Sequence, residues 1–305
     1  MVIVEGLTKY YGQTLALDKI SFDFTKGDVV GLLGPNGAGK STTMKILTGF
    51  MPPSSGKVMI QDIDVGTDPI AVKKRIGFLP EHAPLYLDMT VSAYLRYVGE
   101  LKQVDKNHLK KYVSEAIEQT NLVDVQSKNI KTLSKGYRQR LGIAQALLAK
   151  PDLIILDEPT VGLDPKQVIE IRQLIKTLSV DRTLLLSSHI LSEVEAVCNK
   201  VVIMNKGKVL ARESVSKLTS KVSQATYELL APKDFDWASV SQANLDIQGL
   251  QPRQDGWVEF TVTGNKELHQ IMKTFIENKI PFTELRKKET SLEEAYLQLV
   301  TKDNN

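Results

Sequence analysis

The sequence predicts an α/β fold built on a largely parallel sheet, followed by a smaller α+β region. Three observations carry this reading. Short apolar runs alternate with helical patterns from residue 2 to about 221. One of those runs, Asp28–Leu33, passes directly into a glycine-rich turn and then a helix. After Lys221 the alternation gives way to half-buried strand patterns mixed with amphipathic helices.

Val2–Gly6 and Ile20–Phe24 read as short strands, mostly β-branched or aromatic. Asp28–Leu33, bounded by Gly27 and Gly34, reads as a buried strand, and Ser41–Leu47 opens a helix. Helical stretches follow from Asp88 to Val125, with Leu95, Val98 and Leu101 at helical spacing, and again over Ser134–Leu148. They mark a helical subdomain at about residues 88–150. Leu153–Leu156 and Thr183–Ser187 are further buried strands, with helices at Lys166–Leu178 and Ile190–Cys198. Val201–Asn205 and Lys208–Ala211 form a hairpin turning at Lys206 and Gly207. A first domain is thus expected at residues 1–221 and a small α+β domain at 222–305. The second has strands at Thr226–Leu230, Trp257–Val262 and Phe282–Leu285 and a helix at Glu267–Glu277. A last helix through Val300 starts at a capping box of Thr290 and Glu293. The expected arrangement is ferredoxin-like, with Lys302–Asn305 frayed.

At 305 residues, with 42% hydrophobic and 25% charged residues, the chain can bury a large core without staples. Its one cysteine, Cys198, rules out an internal disulfide and suits a reducing compartment. Residues Met1–Lys9 lack the basic and apolar regions of a secretory signal, and no apolar run approaches the ~18 residues of a membrane span. A cytoplasmic protein is expected, and any membrane process would need another chain. Residues 222–305 hold nine Lys/Arg and thirteen Asp/Glu, net −4, which leaves +7 for the remainder. A basic first part suits a polyphosphate ligand, though scattered solvated charge would look the same. There is no basic stripe or aromatic platform, so no nucleic-acid partner is expected.

Gly34, Pro35, Asn36, Gly37, Ala38, Gly39, Lys40 and Ser41 fit the phosphate-loop pattern, and Thr42 continues it into the helix. The glycines let backbone N–H groups turn inward toward phosphate oxygens, and the helix N-terminus adds a favourable dipole. Lys40 should reach the β- and γ-phosphates, and the Ser41 hydroxyl should hold Mg²⁺. This loop alone leaves kinases, GTPases and other ATPases open. Leu153–Leu156 then delivers Asp157 and Glu158 at a strand's C-terminal end, where open α/β sheets bind ligands. Asp157 can hold Mg²⁺, and Glu158 is placed to polarise an attacking water. His189 follows the strand at Thr183–Ser187, a position from which it could contact the γ-phosphate.

Leu133, Ser134, Lys135, Gly136 and Tyr137 resemble the signature of the ABC family, usually Leu-Ser-Gly-Gly-Gln. With it the family's motifs stand in order over residues 2–215. Tyr11 resembles the aromatic that stacks on adenine, Gly162–Pro165 with Asp164 the D-loop, and His189 the switch histidine. Glu81 stands where the family usually has the Q-loop glutamine and could ligate Mg²⁺ through oxygen. Lys135 and Tyr137 depart from the signature, while Ser134 and Gly136, which contact the γ-phosphate in the family, are kept.

The resemblance implies a cytoplasmic ATPase subunit that binds ATP and Mg²⁺ and works as a head-to-tail homodimer. Two ATPs would be sandwiched, each between Gly34–Ser41 of one subunit and Ser134–Gly136 of the other. The segments Leu79–Tyr86 and Leu133–Arg140 are similar to the gliding-motility-associated branch, which pairs with ABC-2-type membrane permeases, as exporters do. The protein would then sit at the inner face of the cell membrane through that permease. The rival is a non-transport ABC ATPase acting on DNA or the ribosome. Such chains usually carry two cassettes or a long coiled-coil insertion, and this sequence has neither.

Overall fold

Alternation of apolar strands with amphipathic helices produces two compact units, one of residues 1–215 with 299–305 and the other of residues 216–298. The computed structural model describes residues 1–222, 226–230, 232, 247–253, 255–262, 268–278, 280–288 and 291–303. In chain order the first part holds β1 (Val2–Tyr11), β2 (Thr14–Phe24), β3 (Val29–Leu33), α1 (Lys40–Leu47), β4 (Ser55–Ile60), β5 (Ile63–Asp64), α2 (Pro69–Arg75) and β6 (Ile76–Leu79). There follow α3 (Val91–Leu101), α4 (Lys106–Gln119), α5 (Lys135–Leu147), β7 (Leu153–Leu156), α6 (Pro165–Ser179), β8 (Thr183–Ser188), α7 (Leu191–Val197), β9 (Lys200–Asn205) and β10 (Lys208–Ser214), after which α8 (Val215–Val222) opens the second unit.

The central sheet has the order β10-β9-β3-β8-β7-β6. All neighbours in it are parallel except the β9–β10 hairpin. Its inner strands are buried on both faces, which explains their unbroken apolar runs. A second sheet, antiparallel, has the order β2-β1-β4-β5. Side chains of both sheets and of α1, such as Val4, Leu17, Phe22, Leu32, Met44 and Ile155, meet in one core.

This second sheet corrects the expectation of two short strands near the N-terminus. β1 runs on through Gly6, where positive φ and register shifts interrupt the alternation, and turns into β2 at Gly12. β4, β5, α2 and β6 were not predicted as elements. Cys198 is buried, and burial pushes its thiol far up, so it acts as a small hydrophobe. Among the described residues no helix is long and apolar enough to cross a membrane.

The second unit holds β11 (Thr226–Leu230), β12 (Ile247–Pro252), β13 (Trp257–Val262), α9 (Leu268–Glu277) and β14 (Glu284–Lys287), and leads into α10 (Leu292–Asp303). Its antiparallel sheet has the order β12-β13-β11-β14, the strand order of a ferredoxin-like fold. Tyr227, Phe260 and Phe275 form its core. The capping box at the last helix uses Ser291 and Glu294, which bond each other's backbone N–H reciprocally. The predicted Thr290 lies outside the described residues, as do Glu267, Asn304 and Asn305. The helix continues to Asp303, past the predicted fray point at Lys302.

Gly77 of β6 is a position of close approach. A Cβ there would strike the Ala146 carbonyl of α5. Gly77→Ala should therefore cost about 1–3 kcal/mol by overpacking, measured as a lower urea midpoint with unchanged slope.

Candidate functional site

β3, β8 and β7 are neighbours: β3 and β8 end level, Leu33 opposite Ser188, and β7 ends two residues earlier, Leu156 opposite Leu186. Whatever leaves these strands emerges at one edge of the sheet. β3 releases the loop Gly34–Gly39, β7 releases Asp157 and Glu158, and β8 releases His189. Together they bound a cavity of about 390 Å³, lined by Pro35, Asn36, Gly37, Ala38, Gly39, Lys40, Ser41 and Thr42 with Glu81, Glu158 and His189. Gly39 has φ 104°, and a Cβ on it would lie 2.5 Å from Leu17 Cδ2, so only glycine carries the chain from the loop into α1.

Lys40 is the electrostatic centre. Its Nζ donates to the Gly34 carbonyl at 2.7 Å and the Pro35 carbonyl at 3.3 Å, and lies 3.8 Å from Glu158 Oε1. Burial holds its ammonium below the ordinary lysine range, while the Glu158, Asp157 and Glu81 carboxylates pull it back upward. A polyphosphate entering the cavity would bring further negative charge to this buried cation.

Glu158 takes φ 49°, a left-handed conformation that is uncommon for a non-glycine residue. Ser187 holds it there. The Glu158 N–H donates to Ser187 Oγ at 2.9 Å, and that hydroxyl donates to Asp157 Oδ1 at 2.6 Å. On the open side, His189 Nδ1 lies 2.9 Å from Glu158 Oε2. A carboxylate only accepts, so this nitrogen carries the hydrogen. The Glu158 carboxylate is thus suspended between a lysine and a histidine.

Ser41, Glu81 and Asp157 line an adjoining groove of about 480 Å³. All three offer hard oxygen donors, which fit Mg²⁺, an ion that draws further ligands from phosphate and water. Among the described residues no group of three His, Cys, Asp or Glu side chains could by itself hold a metal ion.

The remaining predicted residues stand apart from the cavity lining. The Tyr11 hydroxyl donates to Met51 Sδ at 3.2 Å, and the Lys9 ammonium lies 5.7 Å from its ring centre. Ser134 caps α5, accepting from the Tyr137 N–H at 3.4 Å, and Asp164 caps α6, accepting from the Gln167 N–H at 2.9 Å. Gly136 packs against the Gln167 side chain, so the signature and the D-loop adjoin within one chain. Sequence reasoning missed Ser187, although two serines ending an otherwise apolar strand were the available signal. It also missed the buried contacts of Thr160, Ser188 and Glu193.

Fold and site together define an ATP-binding cassette. The profile of the ABC transporter family matches residues 17–161. The chain is 33% identical to the bacitracin transport ATP-binding protein BcrA of Bacillus licheniformis, over 96% of this chain and 95% of that one. It is 34% identical to the linearmycin resistance ATP-binding protein LnrL of Bacillus subtilis, over 74% of this chain and 73% of that one. Among solved structures it is similar to the cassette MJ0796, dimeric and bound to ADP and Pi after hydrolysis. That match has 25% identity and a TM-score of 0.64, over 70% of this chain and 98% of the other. The chain belongs to the ABC transporter ATP-binding proteins: it is an ATP-binding subunit whose ATP hydrolysis is coupled to transport. Cassettes of this family dimerise and partner with membrane permeases.

Ser187→Ala removes a wholly buried hydroxyl and leaves the Glu158 N–H without its acceptor. Stability should fall by about 1–3 kcal/mol in urea unfolding, and ATP turnover should fall with it as Glu158 loses its backbone anchor.

Proposed function

We propose that this chain powers an exporter, hydrolysing ATP as a head-to-tail homodimer bound to an ABC-2-type permease on the inner face of the cell membrane. The observation that carries the hydrolytic reading is the Glu158 carboxylate, held at the cavity between Lys40 and His189. Export is supported by the names of the relatives, a bacitracin transport protein and a linearmycin resistance protein, and the ABC-2-type partner by the likeness of Leu79–Tyr86 and Leu133–Arg140 to the gliding-motility-associated branch. The ATPase domain is residues 1–221, and residues 222–305 form an accessory domain.

In this reading the Gly34–Gly39 backbone cradles the phosphates, Lys40 exchanges its carbonyl and Glu158 partners for phosphate oxygens, and Tyr11 stacks on adenine. Ser41, Asp157 and Glu81 hold Mg²⁺, which neutralises phosphate charge when bound. Freed from Lys40, Glu158 accepts a proton from water as the water oxygen bonds to the γ-phosphorus. The bond to the β,γ-bridging oxygen breaks, and ADP leaves with that oxygen. His189, donating through Nδ1, keeps the carboxylate aimed. Ser134, Gly136 and Asp164 stand outside this cavity, which supports their acting on the partner's ATP. Loss of the γ-phosphate then loosens the dimer.

Glu158→Gln should lower turnover by about 10²–10⁴-fold while ATP still binds, measured by phosphate release alongside a nucleotide titration. Wild-type turnover would place the base elsewhere.

Ser134→Arg tests the two-chain site. Alone it should abolish hydrolysis while ATP binds its own phosphate loop. Mixed with Lys40→Ala subunits, it forms heterodimers with one intact composite site, and partial activity should return. Full activity of Ser134→Arg by itself, with a normal circular dichroism spectrum, would exclude the sandwich dimer.

A further inference from the structure

Glu193 lies on α7, away from the cavity lining, and is only 5% exposed. Its Oε2 accepts hydrogen bonds from Thr160 Oγ1 at 2.5 Å and Ser188 Oγ at 3.1 Å. Its Oε1 faces Arg172 of α6 at 3.7 Å. Thr160 and Ser188 are themselves buried. A buried carboxylate is costly unless it is bonded and paired, and an apolar side chain would pack there with less penalty. What distinguishes this carboxylate is the position of its two hydroxyl partners. Thr160 stands two residues after Glu158, and Ser188 stands one residue before His189. One oxygen atom therefore joins the chain leaving β7 to the chain leaving β8. Those two chains carry the Glu158 Oε2 and His189 Nδ1 pair at 2.9 Å. Glu158 also sits at φ 49°, a backbone conformation that needs holding from both sides.

We propose that Glu193 is a positioning residue for hydrolysis, clamping Thr160 to Ser188 so that His189 meets Glu158 at the distance that aims its carboxylate. The proposal rests on Glu158 acting as the base. Glu193 is not among the residues lining the cavity, so the clamp predicts a loss in kcat with ATP affinity kept.

The test uses the full chain with four variants: Glu193→Ala, Glu193→Gln, Thr160→Val and the double Glu193→Ala/Thr160→Val. Glu158→Gln runs beside them. If that control turns over like wild type, the base assignment fails, whatever the others do. With the control inactive, Glu193→Ala and Thr160→Val should each lower kcat about ten- to a hundredfold, the scale of a small misplacement of reacting groups. The Kd for ATP should stay within about twofold of wild type. Glu193→Gln, which keeps an acceptor oxygen, should retain more activity than Glu193→Ala. The double variant should be no worse than Glu193→Ala, because both remove one shared interaction. Wild-type kcat in both single variants, additive losses in the double, or ATP affinity falling in step with kcat would each overturn the proposal. If Glu193→Ala fails to fold by circular dichroism, Thr160→Val decides alone: it keeps the shape and loses only the hydroxyl, and a wild-type kcat in it overturns the clamp.

Discussion

The cavity depends on β8 standing between β3 and β7, its end level with that of β3 and two residues beyond that of β7. Parallel pairing fixes that register, because a one-residue slip would turn every buried side chain of a strand to the opposite face. In that register the phosphate loop, the paired carboxylates and the histidine leave the sheet side by side. β8 also contributes chemistry of its own. Its last two residues are serines, and their hydroxyls bond across to Asp157, to the Glu158 backbone and to Glu193. A strand ending in apolar residues would leave the Glu158 N–H without its acceptor and take one donor each from Asp157 and Glu193.

The parts of this arrangement that could be read from sequence were those set by short-range chemistry. β7 falls at Leu153–Leu156 and β11 at Thr226–Leu230, as their apolar runs and turn residues implied. The phosphate loop was readable because its glycines serve a local backbone need. β4 was not, since it begins in polar Ser55, Gly56 and Lys57 after two prolines and is specified by pairing with β1, fifty residues earlier in the chain. The length of β1 was hidden by the irregularity at Gly6. Side-chain partnerships between strands, such as that of Ser187 with Asp157, depend on register that no single segment encodes.

The departures from the family pattern have local physical settings. Lys135 occupies a signature position that is usually glycine, and its ammonium lies against Gly162, itself at φ 66° and free of a side chain. Tyr137 presents its backbone N–H to the Ser134 cap, and its side chain stays partly exposed. Glu81 brings a negative charge to the Q-loop position, and it lines the same cavity as the Lys40 ammonium, which it helps keep charged. Lys135 and Glu81 thus each have a specific neighbour in this fold, and the Tyr137 side chain has solvent.

In the proposed head-to-tail dimer each chain supplies half of each of two ATP sites. Sedimentation of Glu158→Gln, with and without Mg²⁺ and ATP, tests it most directly, since blocking hydrolysis should trap the closed state. A shared site requires a monomer without nucleotide and a dimer carrying two ATP molecules with it. A monomer that binds one ATP and stays monomeric at saturating nucleotide would contradict it.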